Sequence, residues 1–135
     1  MANNLQISYA ACNAEAAALA PLMNSGKLRI YGGTVPTRAD DSIGAATLLA
    51  ELTMNATAFT TGTNGVMTAN SIAAVNAAAT GTATFFRVWD SAGTTDYIQG
   101  TVGTAGCDMN IDSVAISAGA QVSITAFTYT VVRGA

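Results

Sequence analysis

The sequence predicts a mainly β protein: an antiparallel β-sandwich of jelly-roll or Greek-key type, with one short N-terminal α-helix. Three observations predict it. Apolar and small residues alternate with Thr, Ser and Asn in many short runs, the period-2 signature of half-buried strands. Turn signals recur about every 8–12 residues, the spacing of sandwiches and barrels. No strand–helix alternation supports a parallel α/β sheet. At 135 residues the chain reads as a single structural domain, with an arm and short helix over 1–26 and the sandwich over 27–135.

Residues 1–7 are polar and extended in character. Ser8 is a good N-cap for a helix running to Ala20, on which Tyr9, Cys12, Ala16, Leu19 and Met23 form one apolar stripe at spacings of three and four. Pro21 breaks the hydrogen-bond ladder, so the last turn is kinked or lies outside the helix. Asn24-Ser25-Gly26 supplies the stop. The period then changes to 2. Leu28 and Ile30 face one way and Lys27, Arg29 and Tyr31 the other, until Gly32-Gly33 and Pro36 close the strand. Residues 37–47 (TRADDSIGAAT) hold the only local run of charge and read as a loop. Leu48, Ala50, Leu52 and Met54 alternate with Leu49, Glu51 and Thr53 in a second strand that extends toward Phe59.

After a Gly/Asn turn at 60–65, residues 66–72 form a third strand. Residues 73–81 are rich in alanine, which favours helix, but their β context and Gly81 favour a turn; they are read as irregular. Residues 82–89 (TATFFRVW) are the clearest strand, 90–95 a hairpin connection and 96–102 the return strand. After a turn at 103–108, Met109, Ile111, Val114 and Ile116 suggest another strand, with Asp112-Ser113 shifting the alternation. A turn at 117–120 leads to a long final strand, 121–132. There Val122, Ile124 and Ala126 alternate in one phase and Phe127, Tyr129 and Val131 in the other. Such a slip means either a β-bulge or a strand covered on both faces.

The composition argues against catalysis. There is no histidine, Lys+Arg number five and Asp+Glu eight, while 28 residues are alanine and 19 threonine. Enzymes at neutral pH usually rely on groups titrating near 7 or on concentrated charge. Charged residues make up 10% of the chain, against roughly 25% in an ordinary domain. So thinly charged a surface suits a protein that lies against other protein. The net charge of −3 and the lack of a basic cluster make nucleic acid and anionic membranes unexpected partners. The alanine-rich segment 10–20 is interrupted by Asn13 and Glu15, follows no basic residue and is too short to span a bilayer. No secretion signal is therefore expected, and the sequon Asn55-Ala56-Thr57 reads as an accident. Cys12 and Cys107 sit in no C-x-x-C and have no histidine to complete a zinc site. They are either a disulfide or, as the usual burial of cysteine favours, two free thiols.

Each candidate chemistry has a plainer reading. Asp108, Asn110 and Asp112 place oxygens at every second residue, as in a calcium loop. Ser113 and Gly119 stand where an EF-hand needs Gly and the bidentate Glu. Asp40, Asp41 and Glu51 could form a carboxylate pair, but nothing in the sequence brings them into one cleft. A serine nucleophile has no histidine base, Lys27 is the only lysine, and there is no S-x-x-K. The glycines from Gly100 to Gly106 lack a following G-K-[ST]. No catalytic residue, cofactor or metal site is expected. The aromatics are more informative. Phe85, Arg87 and Trp89 share one face of a strand, Phe86 and Val88 the other, and one set must be core. The other is ordinary packing, a protein contact, or a sugar platform of Trp89 and Tyr97. The interface candidates are Leu5, Ile7, Arg87, Trp89, Tyr97, Phe127 and Tyr129.

The opening NLQISYAACNAEAAALAPLMNSGKLRIYGGTVPT and the later segments LLAELTMNATAF, FFRVWDSAGTTDYIQGTVGTAG and QVSITAFTYTV resemble a family of small tailed-bacteriophage proteins. In that family a short N-terminal helix leads into a GKLRIY strand and a Gly/Thr/Pro turn. The resemblance spans most of the chain; Pro21, late in the helix, departs from the pattern. It implies a virion structural protein, a capsid cement or decoration protein over the major capsid shell, assembled in the host cytoplasm. Its implied partners are the major capsid protein and itself, as a dimer or trimer. The motifs are structural, so no functional residue is carried over. A tail, neck or fibre component on the same framework is the alternative, and a carbohydrate-binding module the second. A cement protein needs a stiff β framework, adaptable termini and low-charge faces that identical copies can bury. The arm at 1–7 could reach a neighbour, and the 121–132 strand, as an exposed edge, could pair with one.

Overall fold

The computed structural model describes residues 5–132. Ser8 Oγ accepts a hydrogen bond from the Ala11 amide at 3.2 Å, satisfying one of the free N–H groups that open a helix, and α1 runs Tyr9–Leu19. The chain then tightens into a 3₁₀ turn, Ala20–Met23, with Pro21 in its first positions, where a missing N–H costs little. Of the predicted stripe, Cys12, Ala16 and Met23 are buried and Leu19 packs against the core, while Tyr9 is half exposed. Asn13 Oδ1 accepts the Gly65 amide at 2.7 Å and ties the helix to the distant chain.

Among the described residues twelve strands follow: β1 Lys27–Gly32, β2 Thr47–Thr53, β3 Phe59–Thr61, β4 Val66–Ala69, β5 Val75–Asn76, β6 Gly81–Thr82, β7 Phe85–Trp89, β8 Asp96–Gly103, β9 Met109–Ile111, β10 Ala115–Ile116, β11 Gln121–Val122 and β12 Ile124–Thr130. Eight of them form one sheet in the order β2-β1-β7-β8-β9-β12-β4-β3, and β6–β10 and β5–β11 are separate two-stranded pairs. The fold is mainly β with one short N-terminal helix, and the large sheet curls into a half-barrel. The curl brings distant strands together: the Phe127 ring on β12 meets Phe59 on β3 at 5.4 Å and Phe86 on β7 at 5.0 Å, both edge-on. Leu28, Ile30, Leu52, Met67, Val88 and Met109 fill the same core, each burial removing roughly 1.5–3 kcal/mol of apolar exposure.

Three bulges explain where the alternation read from sequence departs from the burial found. Between β1 and β2, Ile30 pairs with Ala50 and Tyr31 with Leu48, so Leu49 is the extra residue. Beyond it every side chain changes face, which buries Leu49 and leaves Leu48 exposed. Between β7 and β8, Val88 pairs with Ile98 and Trp89 with Asp96, which leaves Tyr97 as the extra residue. Between β9 and β12, Ile111 pairs with Ile124 and Asn110 with Ala126. The phase slip in the final strand is thus a bulge at Thr125.

Several runs predicted as single strands are broken. The final run divides at Ser123, whose carbonyl accepts the Asp112 amide at 3.1 Å. The clearest strand divides at Ala83-Thr84, where Thr84 turns to the Tyr31 carbonyl. One pairing departs from the antiparallel rule. β8 and β9 are parallel, although only residues 104–108 connect them, far fewer than the dozen or more of a usual crossover. Asp108 holds this tight return: its Oδ2 accepts the Thr101 amide at 2.9 Å and the Thr101 hydroxyl at 3.0 Å.

The last strand is not an edge, as expected from sequence, but lies between β9 and β4. The true edges are β2 and β3, and the chain itself touches the first and the approach to the second. Ala78 donates to the Leu49 carbonyl beside β2 at 2.8 Å, and Asn24 Oδ1 takes the Ala58 amide just before β3 at 2.8 Å.

Candidate functional site

The richest concentration of polar side chains lies on the outer face of β1, β2, β7 and β8. Cross-strand register sets Glu51, Arg29, Arg87 and Gln99 in one row over four strands. Two arginines directly opposite each other repel, so each needs its own partners. Arg29 Nε donates to Glu51 Oε2 at 2.8 Å, and its guanidinium lies 5.0 Å from the centre of the Trp89 ring. Partial burial pulls the Arg29 pKa down, but the hydrogen bond and charge of Glu51 outweigh it and the pKa is raised. The guanidinium is charged in any case, so its contact with Trp89 is a cation–π one.

Arg87 is only 3% exposed. Its Nε donates to Gln99 Oε1 at 2.8 Å, and its Nη2 to the carbonyls of Arg38 at 3.2 Å and Asp41 at 2.6 Å. Asp96 Oδ2 lies 3.8 Å from Nη1. Gln99 Nε2 in turn donates to the Pro36 carbonyl at 2.8 Å. The planar guanidinium thus fastens the loop between β1 and β2 over the sheet, a task that suits its fixed fork of donors. In the next row toward the β1–β2 loop, Tyr31 stacks on Phe85, ring centres 5.0 Å apart, and both are buried. Both faces of β7 are therefore packed: Phe86 and Val88 in the core, Phe85 and Arg87 under the loop. Two buried polar atoms on this face, among the described residues, have no hydrogen-bond partner: Trp89 Nε1, and Asp96 Oδ2, whose only neighbour of opposite charge is Arg87 Nη1; their residues are directly paired across β7 and β8.

The predicted interface residues are dispersed. Leu5 is 85% exposed, while Ile7, Tyr97 and Tyr129 pack partly buried against the core. Phe127 is buried within it, and Arg87 beneath the loop. Trp89 lies under Arg29. The structure brings Arg87 and Trp89 together and sets Tyr97 apart, against the core. Residues 1–4 of the arm lie outside the described residues. Arg29, Glu51, Gln99 and Asp96, which complete the cluster, carry no signal in sequence beyond strand alternation, because their register across strands is invisible there.

The acidic oxygens are engaged locally. Asp108 holds Thr101, Asn110 Oδ1 accepts the Cys107 amide at 3.2 Å, and Asp112 Oδ1 accepts the amides of Ser113 and Ser123 at 3.0 and 3.3 Å. Among the described residues no group of three or more His, Cys, Asp or Glu could hold a metal ion. Cys12 and Cys107 are separate free thiols, the first buried. A groove of about 370 Å³ on the β1–β2 loop is lined by Gly33, Thr34, Pro36, Ser42, Ile43 and Ala46 and neighbouring small residues, with no ionisable side chain. Among the described residues no helix is long and apolar enough to cross a membrane.

The fold and this face define a mainly β protein whose largest polar cluster binds its own loop. No family model, no curated protein and no solved structure matches the chain significantly.

Proposed function

We propose that the protein is a non-enzymatic structural component of a tailed-bacteriophage virion, a capsid cement or decoration protein that binds the major capsid shell and other copies of itself. The observation that carries the reading is the fate of the charged side chains. The two arginines at the centre of the outer face are engaged within the chain, by Glu51 and Trp89 in one case and by Gln99 and two loop carbonyls in the other. What remains at the surface is largely small and uncharged, a composition suited to contact with protein. The resemblance of the GKLRIY-containing opening and the later segments to small phage proteins directs this to the virion.

The test is the number of copies per major capsid subunit in purified particles of the source phage, by quantitative mass spectrometry. A near-stoichiometric ratio, together with capsids that break more easily once the protein is removed, supports a cement role. A handful of copies moves the protein to the tail, neck or fibre. Absence from particles rejects the virion reading and turns attention to glycan binding. For a glycan platform Trp89 would have to exchange its contact with Arg29 for a sugar ring, and Tyr97 would have to leave the core.

A further inference from the structure

The turn between β3 and β4 contains Asn64-Gly65, the only Asn-Gly step in the sequence. Both residues have left-handed backbone, with φ of 63° and 74°. Asn64 is exposed and Gly65 is buried. The Gly65 amide donates to Asn13 Oδ1 of α1 at 2.7 Å. There is no slack around it: a methyl group at Gly65 would come within 2.8 Å of Cys12 Cβ and 3.2 Å of Val131 Cβ. Gly65 is therefore packed between the helix and Val131, just past β12, with its N–H held by a side chain 52 residues away in sequence.

An Asn-Gly step has an intrinsic chemistry, because glycine offers no side chain to block attack by its own nitrogen on the preceding amide. We propose that Asn64-Gly65 is a latent self-modification site which the Asn13 contact holds closed, so that undocking of α1 exposes it to irreversible conversion. In the reaction the Gly65 nitrogen gives up its proton to solvent base and forms a bond to Asn64 Cγ. The Cγ–Nδ2 bond breaks, and Nδ2 leaves as ammonia, taking a proton from water. Water then opens the succinimide at either carbonyl, giving an aspartyl or isoaspartyl linkage at position 64. No other reactant is needed.

In the native state the Gly65 N–H points at Asn13, so reaction proceeds only through the open fraction, and its rate reports the free energy of local opening. The product does not return. A carboxylate replaces the amide, and the isoaspartyl form adds a methylene to the main chain, which carries the Gly65 amide out of register with Asn13. A transient undocking of the helix thus becomes a permanent one.

The experiment uses the full chain, incubated in mildly alkaline buffer. Conversion at position 64 is followed by peptide mass spectrometry with isoaspartyl detection, and the Gly65 amide by hydrogen exchange. Wild-type protein should convert slowly when native and fast in denaturant, with a protected Gly65 amide. Asn13→Leu removes the acceptor at similar volume and should raise the native rate roughly five- to tenfold, the loss of one net hydrogen bond expressed as a rate. Asn13→Asp keeps an acceptor oxygen and should stay near wild type. Equal rates in native and denatured wild type overturn the proposal, as does an unprotected Gly65 amide. So does an Asn13→Leu variant that folds, by circular dichroism, yet converts no faster. If Asn13→Leu does not fold, the wild-type comparison and the exchange of the Gly65 amide still decide the matter.

Discussion

Removing the Arg87 guanidinium should release the loop between β1 and β2 and cost the domain a large part of its stability. In Arg87→Met the stem is kept and the fork lost. Gln99 Oε1 and the Arg38 and Asp41 carbonyls then lose their donor, and Asp96 its neighbouring positive charge, on a face where Arg87 itself is 3% exposed. Removing one partner from a buried charged group costs about 3–5 kcal/mol, of the same order as two charge-assisted hydrogen bonds. Against a typical domain stability of about 5–15 kcal/mol this is severe. With a urea slope of about 2 kcal/mol per molar, the midpoint falls by roughly 2 M. Arg87→Lys should recover little, because a single ammonium cannot span Gln99 and two loop carbonyls together. The second readout is local: tryptic cleavage after the exposed Arg38 should accelerate as the loop lifts. A loss under about 1 kcal/mol with unchanged cleavage at Arg38 would refute the account of Arg87 as the loop's fastening.

Two further outcomes follow from register and charge. Leu49→Ala should cost about 2–4 kcal/mol in chemical denaturation while Leu48→Ala costs under about 1, because the bulge buries one and exposes the other; equal losses would place the bulge elsewhere. The Asp90 carboxylate is held below its ordinary value chiefly by the backbone hydrogen bond from Thr94, against a smaller opposing effect of desolvation. Its contribution is therefore present above the unfolded value of 3.8 and is lost as pH falls through the lower folded value. Wild type and Asp90→Asn should differ in stability at neutral pH and converge in strong acid, which denaturation at a series of pH values would reveal; a constant difference would argue against it.

Much of the fold was legible because it depends on local pattern. Ser8 caps the helix, Pro21 ends its α-helical part, and the hairpin from Phe85 to Gly103 turns where Asp90, Gly93 and Thr94 require. Non-local features were not legible. The bulge residues Leu49, Tyr97 and Thr125 change face through pairing with strands far away in sequence. The division of long apolar runs at Ala83-Thr84 and Ser123 depends on the carbonyl of Tyr31 and the amide of Asp112. The parallel return of β9 depends on Asp108 reaching Thr101, and the spacing of Asp108, Asn110 and Asp112 suggested a cation loop instead. At the polar face, alternation placed Arg87 beside Trp89. That Arg87 would be covered could not be read from a strand alone, since its cover comes from a loop nearly fifty residues earlier.

The interior position of β12 has a consequence for how the chain is made. On a ribosome β3 and β4 emerge early and can pair with each other, but the free side of β4 waits for residues 124–130. β9 emerges with β8 already beside it and waits for the same residues. Until they arrive, the nascent chain holds two partial sheets with facing unpaired edges, one led by α1 and the β3–β4 hairpin, the other by β1, β2, β7 and β8. A single late strand zips the two together and brings Phe127 between Phe59 and Phe86. Closure of the sheet thereby waits until β12 has been made, a route that long-range pairing makes slow and that leaves edges open to neighbouring chains meanwhile.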